Sequence, residues 1–205
     1  LGNSSTESRE IPQQVGSSSW IAVGSGIAHT LAIRSGGKLF AWGRNNFGQL
    51  GDSTTVDKSS PVQIGSSSWT AISAGKYPSA AISSDGYLFT WGQNNYGQIG
   101  DNTLVNKSSP VQIVSSSWTV VSLSKALNGI NGFSLGIRSG GTLFAWGNNT
   151  YGQLGDSTTI NKSSPVQIGS SSWTAIAAGR RHALGITSGG TLYSWGFNQY
   201  GQLGD

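Results

Sequence analysis

The stretch "WGRNNFGQLGDSTTVDKSSPVQIGSSSW" runs from Trp42 to Trp69, and near-copies of it begin at Trp91 and Trp146. The Trp of "WG" falls at Trp42, Trp91, Trp146 and Trp195, at spacings of 49, 55 and 49 residues. The Trp of "SSSW" falls at Trp20, Trp69, Trp118 and Trp173, at spacings of 49, 49 and 55. A fixed period of this length signals a repeat architecture and is settled before any local reading. Residues 1–205 read as a single repeat domain with units of approximately 1–49, 50–98, 99–153 and 154–202, and residues 203–205 beginning the next. Six extra residues lie between Trp118 and Trp146. The chain opens with "LGN" at Leu1 and closes with "LGD" at Leu203, the same point of the motif, and is expected to be a window on a longer array.

Each unit carries four strand-like runs. In the second they are "WTAIS", "SAAIS", "YLFTW" and "PVQI", with "SDG" between the middle two. Its equivalents are "SGG" at Ser35, Ser139 and Ser188, which suit two-residue hairpins with positive φ at the centre. "GSSS" reads as another short turn, joining the fourth run to the next unit. The strand "KLFAWG" is apolar on both faces, Leu39 and Ala41 on one, Phe40 and Trp42 on the other. A sheet with one wet face alternates with polar residues instead. Small residues recur in the preceding strand at Ala32, Ala81, Gly136 and Gly185. Two-sided burial of antiparallel four-stranded meanders fits blades stacked around an axis, and 49 residues is long for one rung of a β-helix. The expected fold is an all-β propeller with about four blades present.

Composition excludes several classes. Charged residues make up 10% of the chain, against about 25% in an ordinary domain, and Gly, Ser, Thr and Asn replace them. There is no Cys, hence no disulfide framework, thiolate metal site or cysteine nucleophile. No stretch approaches the ~18 apolar residues of a membrane span. The net charge of +4 is too mild to point to nucleic acid.

"WGRNNFGQLGD", "WGQNNYGQIGD", "WGNNTYGQLGD" and "WGFNQYGQLGD" resemble the signature of the regulator of chromosome condensation repeat. "GIAHTLAI" and "GRRHALGI" resemble that family's Gly-x-x-His-Thr-x-x-Ile element. The resemblance spans essentially the whole chain. It implies a β-propeller, most often seven-bladed, of which four units are a part. Family members include an exchange factor for a small GTPase, an ultraviolet photoreceptor and a secreted β-lactamase inhibitor. The photoreceptor's chromophore Trp slot holds Ile27, Lys76, Lys125 and Arg180 here, which argues against light sensing. No segment matches the exchange factor's protruding wedge.

The copies disagree in two places. One is the loop after the first strand: "IAH" (27–29), "KYP" (76–78), "KALNGINGF" (125–133) and "RRH" (180–182). The other follows "WG": "RNNF", "QNNY", "NNTY" and "FNQY". In an up-down meander the loops after the first and third strands share one end, so both variable sets are expected on one rim. Variable loops on rigid strands are a common recognition design, although loops also drift freely. The candidate ligand-binding residues are Arg44, Phe47, Lys76, Tyr77, Lys125, Phe133, Arg180, Arg181, His182 and Phe197. Cations beside aromatics, with no acid in these loops, suit anionic, carbohydrate or protein partners.

No catalytic set emerges. His29 and His182 are the only histidines, at family structural positions, and no acid pair accompanies them. Asp52, Asp101, Asp156 and Asp205 recur one per unit, too sparsely for a calcium cage, and read as capped turns. Lys58, Lys107 and Lys162 read as a solvated ring, pairing weakly if at all. Gln49, Gln98, Gln153 and Gln202 are expected to satisfy backbone groups within each blade. No cofactor or metal is implied. The leading expectation is a non-enzymatic propeller on a cell surface or virion, a tail, fibre, decoration or adhesin component recognising a surface glycan or protein. The alternatives are an intracellular regulator, such as a guanine-nucleotide exchange factor for a small GTPase, and a purely structural module. Self-association or further blades of the same chain are expected to cover the open edges.

Overall fold

A computed structural model describes residues 1–125 and 132–204. Among them are thirteen strands and no helix. The first blade is an antiparallel sheet of β1 (Trp20–Ser25), β2 (His29–Arg34), β3 (Leu39–Gly43) and β4 (Lys58–Gln63), in that order. The remaining strands are β5 (Trp69–Ala74), β6 (Pro78–Ser83), β7 (Tyr87–Gly92), β8 (Lys107–Leu123), β9 (Phe133–Arg138), β10 (Thr142–Gly147), β11 (Lys162–Ala178), β12 (His182–Thr187) and β13 (Leu192–Gly196). They run in sequence order through one hydrogen-bonded nine-stranded sheet that does not close.

The "GSSS" turn holds only after the first blade. In the next two junctions the outer strand of one blade and the inner strand of the following blade are one strand of 17 residues, β8 and β11. Partner changes mark the crossing: Phe89 faces Gln112 while Tyr87 faces Ser117, so the intervening residues bulge out. The bend sits at a left-handed residue, Val114 (φ 45) in β8 and Gly169 (φ 59) in β11. The expected break is therefore a kink that leaves the strand running.

Burial follows the two-faced pattern. Leu39, Phe40, Ala41 and Trp42 are all buried, as are Leu143 to Trp146. Three apolar clusters join adjacent blades: Leu31, Ile33 and Leu39 pack with Trp69, Ala81 and Trp91, and two equivalent clusters follow. A Cβ on Gly136 would lie 2.6 Å from Trp118, which explains the small residue in that strand. Polar ties cross the same boundaries. Trp91 and Trp146 donate their indole N–H to the carbonyls of Gln49 and Gln98, at 2.9 and 3.0 Å, and Trp195 donates to that of Gln153.

The recurrent motif loop is built around a buried Asn. Asn45 Nδ2 donates to Asp52, to the hydroxyl and carbonyl of Thr54 and to the carbonyl of Val56, while its Oδ1 accepts from Leu50 N–H. Asn94 and Asn149 repeat this set. Asp52, Asp101 and Asp156 cap their turns as expected, each accepting from the Thr two residues on, and Asp205 lies outside the described residues. The lysines do more than expected: Lys58, Lys107 and Lys162 sit 3.5, 2.9 and 3.3 Å from Asp52, Asp101 and Asp156. These carboxylates are nearly buried, so the partners are not a solvated ring. Burial pushes the Asp101 carboxyl up, but hydrogen bonds from Lys107 and Thr103 outweigh it and hold it below the ordinary range.

Candidate functional site: a cationic and aromatic rim

Both variable sets share one rim. The N–H of the residue after each "WG" bonds to the loop before the second strand: Arg44 to Ala28, Gln93 to Tyr77, Asn148 to Gly132 and Phe197 to Arg181. The hairpin turns lie at the other end, where Ser35, Ser84, Ser139 and Ser188 N–H bond to the "SSSW" segments.

Two cation–aromatic clusters stand on that rim. In the first, Phe47 of one blade and Tyr77 of the next have ring centroids 4.9 Å apart. Arg44 and Lys76 lie over the Tyr77 ring, at 5.8 and 5.0 Å from its centroid. In the second, Arg181 lies 4.8 Å from the Tyr151 centroid and 5.0 Å from that of Phe197. Tyr151 and Phe197 pack edge to face at 4.9 Å, with Tyr200 beyond. A cavity of about 390 Å³ opens beside this cluster, lined by Arg180, Arg181, His182, Phe197, Tyr200 and Gln202. A second depression of about 390 Å³ lies where the inner strands converge, with Lys125 and Arg180 on its margin.

The ten expected residues therefore divide. Arg44, Phe47, Lys76 and Tyr77 form one cluster, and Arg180, Arg181, His182 and Phe197 line one cavity. Lys125 is exposed near the centre, beside residues 126–131, the part of the insertion that lies outside the described residues. Phe133 is a correction. It is fully buried between the third and fourth blades, because it fills the slot that His29, Pro78 and His182 take in the other units. Tyr151 and Tyr200, the aromatics that end the variable "NNTY" and "FNQY" runs and were expected on this face with Phe47 and Tyr96, join the site, and Gln202 joins it from a repeated position that gives no sign of this use. The rim is not wholly free of acid: Asp57 shares a surface depression with Arg44.

Arg44 and Arg180 are exposed, while Lys76 and Arg181 are half-buried against the aromatic rings, an arrangement suited to binding. His29 sits in the same slot as His182 but is buried by the next blade, 2.9 Å from Ser79 Oγ, and burial lowers its pKa to about 4. Among the described residues no group of three metal-ligating side chains converges.

The RCC1-like domain model matches residues 1–205. Human WBSCR16 superposes with a TM-score of 0.80 at 23% identity, covering 96% of this chain and 52% of that one. Prp20p from Saccharomyces cerevisiae, described with its binding properties to Gsp1p and histones, superposes with a TM-score of 0.76 at 25% identity, covering 90% and 46%. Yeast RCC1 (Prp20) bound to Kap60 gives 0.75 at 25% identity, covering 90% and 45%. The chain thus spans about half the length of these proteins. No curated protein sequence matches it. These likenesses overturn the expected tail, fibre, decoration or adhesin component, its surface glycan and its extracellular, cell-surface or virion location, and they favour the regulator alternative. Low charge and missing cysteines, on which that expectation leaned, are silent about compartment. The chain, with its four repeat units and shared rim, belongs to the RCC1-like domain family.

Proposed function

We propose that this chain is a non-catalytic protein-recognition module whose basic and aromatic rim engages an acidic protein surface, with a small GTPase as the partner class. The observation that carries this reading is the pair of clusters Arg44–Phe47–Lys76–Tyr77 and Arg181–Tyr151–Phe197, on one rim of a scaffold 25% identical to Prp20p. Arg and Tyr packed side by side are the residue types that dominate protein hot spots. Charges on an exposed rim steer association and make it salt-sensitive.

The test is release of a fluorescent guanine nucleotide from a panel of small GTPases, with binding followed in parallel. The expected result is accelerated release for at least one of them, reduced about tenfold by Arg181→Ala with Tyr77→Ala, since one hot-spot residue is worth more than 1 kcal/mol. Neither binding nor stimulation across the panel would overturn the assignment.

A further inference from the structure

We propose that the mouth of the propeller axis is a binding site for a phosphate-type oxyanion, held by Lys125, Arg180 and the hydroxyls of Ser73 and Ser122. This goes beyond the rim's protein partner and does not rest on it.

The site lies where the inner strands converge. β1 and β5, and the inner halves of β8 and β11, all run toward the cationic rim and end at Ser25, Ala74, Leu123 and Ala178. These four residues line one depression. The binding groups stand on this innermost layer or in the loops that follow it, and the layer faces the axis however many blades surround it.

The polar chemistry there is one-sided. No Asp or Glu lines the depression, while Lys125 and Arg180, from consecutive blades, stand at its margin. Lys125 is exposed, and its ammonium makes no ion pair or hydrogen bond among the described residues. Two charges of one sign above walls of Ile72, Leu123 and Ile176 focus a positive potential into the recess. Lys76 shows the alternative. It holds the slot of Lys125 and Arg180, yet it lies 5.0 Å from the Tyr77 centroid and does not line the depression. In the fourth blade Arg181 stands in the place of Tyr77 and takes the aromatic contacts, and Arg180 borders the axis.

Two hydroxyls complete the donor set. Ser73 Oγ accepts the Leu123 N–H and Ser122 Oγ accepts the Ala178 N–H, both at 3.0 Å. A serine oxygen that accepts a main-chain N–H keeps its own hydrogen to give. Neither hydrogen finds an acceptor among the described residues. Both serines are half-buried and line the depression, where a donor short of water gains most from an anion. Gly24 and Ala177 hold the same slot in the first and fourth blades, so the hydroxyls belong to the two middle blades alone.

Charge and oxygen count select the ligand. A phosphate monoester brings three acceptor oxygens and a charge of about −1.5 to −2, which suits two cations and two neutral donors. A carboxylate, with two oxygens and one charge, leaves part of that set without an acceptor.

Inorganic pyrophosphate is the probe, titrated calorimetrically into the 205-residue chain at low salt, with acetate beside it. Pyrophosphate is expected to bind one per chain, and acetate much more weakly. Lys125→Ala breaks no side-chain bond among the described residues and is expected to weaken binding about tenfold, the loss of one charge-assisted hydrogen bond. Ser122→Ala is expected to weaken it similarly, with Ser122→Thr restoring it. Lys38→Ala removes the same charge from the opposite rim, where Lys38 Nζ donates to the Ser66 carbonyl, and is expected to leave the affinity unchanged. Phosphatidylcholine vesicles carrying phosphatidic acid identify the source: sedimentation reversed by pyrophosphate means that a lipid headgroup reaches the site, and no sedimentation means a soluble anion. No heat with pyrophosphate, equal affinity for acetate, full affinity in Lys125→Ala, or an equal loss in Lys38→Ala would each overturn the proposal.

Discussion

Trp91 donates its indole N–H to the main-chain carbonyl of Gln49, 2.9 Å away in the preceding blade. The same carbonyl accepts the Ser79 hydroxyl at 2.7 Å. Trp91 is fully buried, so its ring and its hydrogen bond act at one boundary. Trp91→Phe removes ring volume and one donor, and is expected to cost about 2–4 kcal/mol. Urea denaturation is the check, with a lower midpoint and an unchanged slope expected.

Val114 occupies a left-handed conformation at φ 45, where the other units place Gly16, Gly65 and Gly169. A β-branched residue is disfavoured there by about 1–2 kcal/mol. Val114→Gly is expected to stabilise the chain by about 1 kcal/mol, the relief of strain outweighing the added freedom of the unfolded chain. The reverse change, Gly65→Val, is expected to destabilise by a similar amount. A thermal melt of both variants decides it.

His29 Nε2 lies 2.9 Å from Ser79 Oγ, and that hydroxyl donates onward to Gln49, so the imidazole is neutral with its proton on Nε2. Burial lowers its pKa from 6.5 to about 4. The unfolded chain therefore binds the proton first, and stability falls as pH drops from 6.5 to about 4, by on the order of 3 kcal/mol. His29→Gln is expected to lose that segment of the pH profile. Denaturation at three pH values across the window measures it.

Asn94 is fully buried, and its side chain serves Asp101, Thr103, Val105 and Ile99. Asn94→Ala strands several of these groups and is expected to cost about 3 kcal/mol or more. Asp101 beside it has a depressed pKa, so its contribution is complete above the ordinary value of 3.8 and disappears as pH falls through the lower folded value. Asp101→Asn is expected to flatten the acid limb of the stability curve. Acid titration followed by tryptophan fluorescence reads both effects.

The Trp spacing marked the units, the "SGG" hairpins between strand-like runs carried the antiparallel meander, and chain direction carried the shared rim, because it decides which loops meet. The bond from Arg44 N–H to the Ala28 carbonyl is that inference in atoms. The continuity of β8 was hidden, since one left-handed residue turns an expected break into a kink and Val114 gives no glycine to signal it. Phe133 misled because it adjoins a lengthened loop yet fills an inward-facing slot. The Asp101–Lys107 contact was obscured by five intervening positions that a capped turn folds back on themselves. Partner class lay furthest from view, as one scaffold accommodates many functions.

The Asn45, Asn94 and Asn149 loops share their bonding pattern, and each tie between blades reaches only the adjacent one. Recombination between two such copies of the gene would therefore add or remove a whole unit while leaving each surviving bond a counterpart. Unit number is then open to inheritance and selection separately from the chemistry inside a unit, so lineages can resize the molecule without redesigning it.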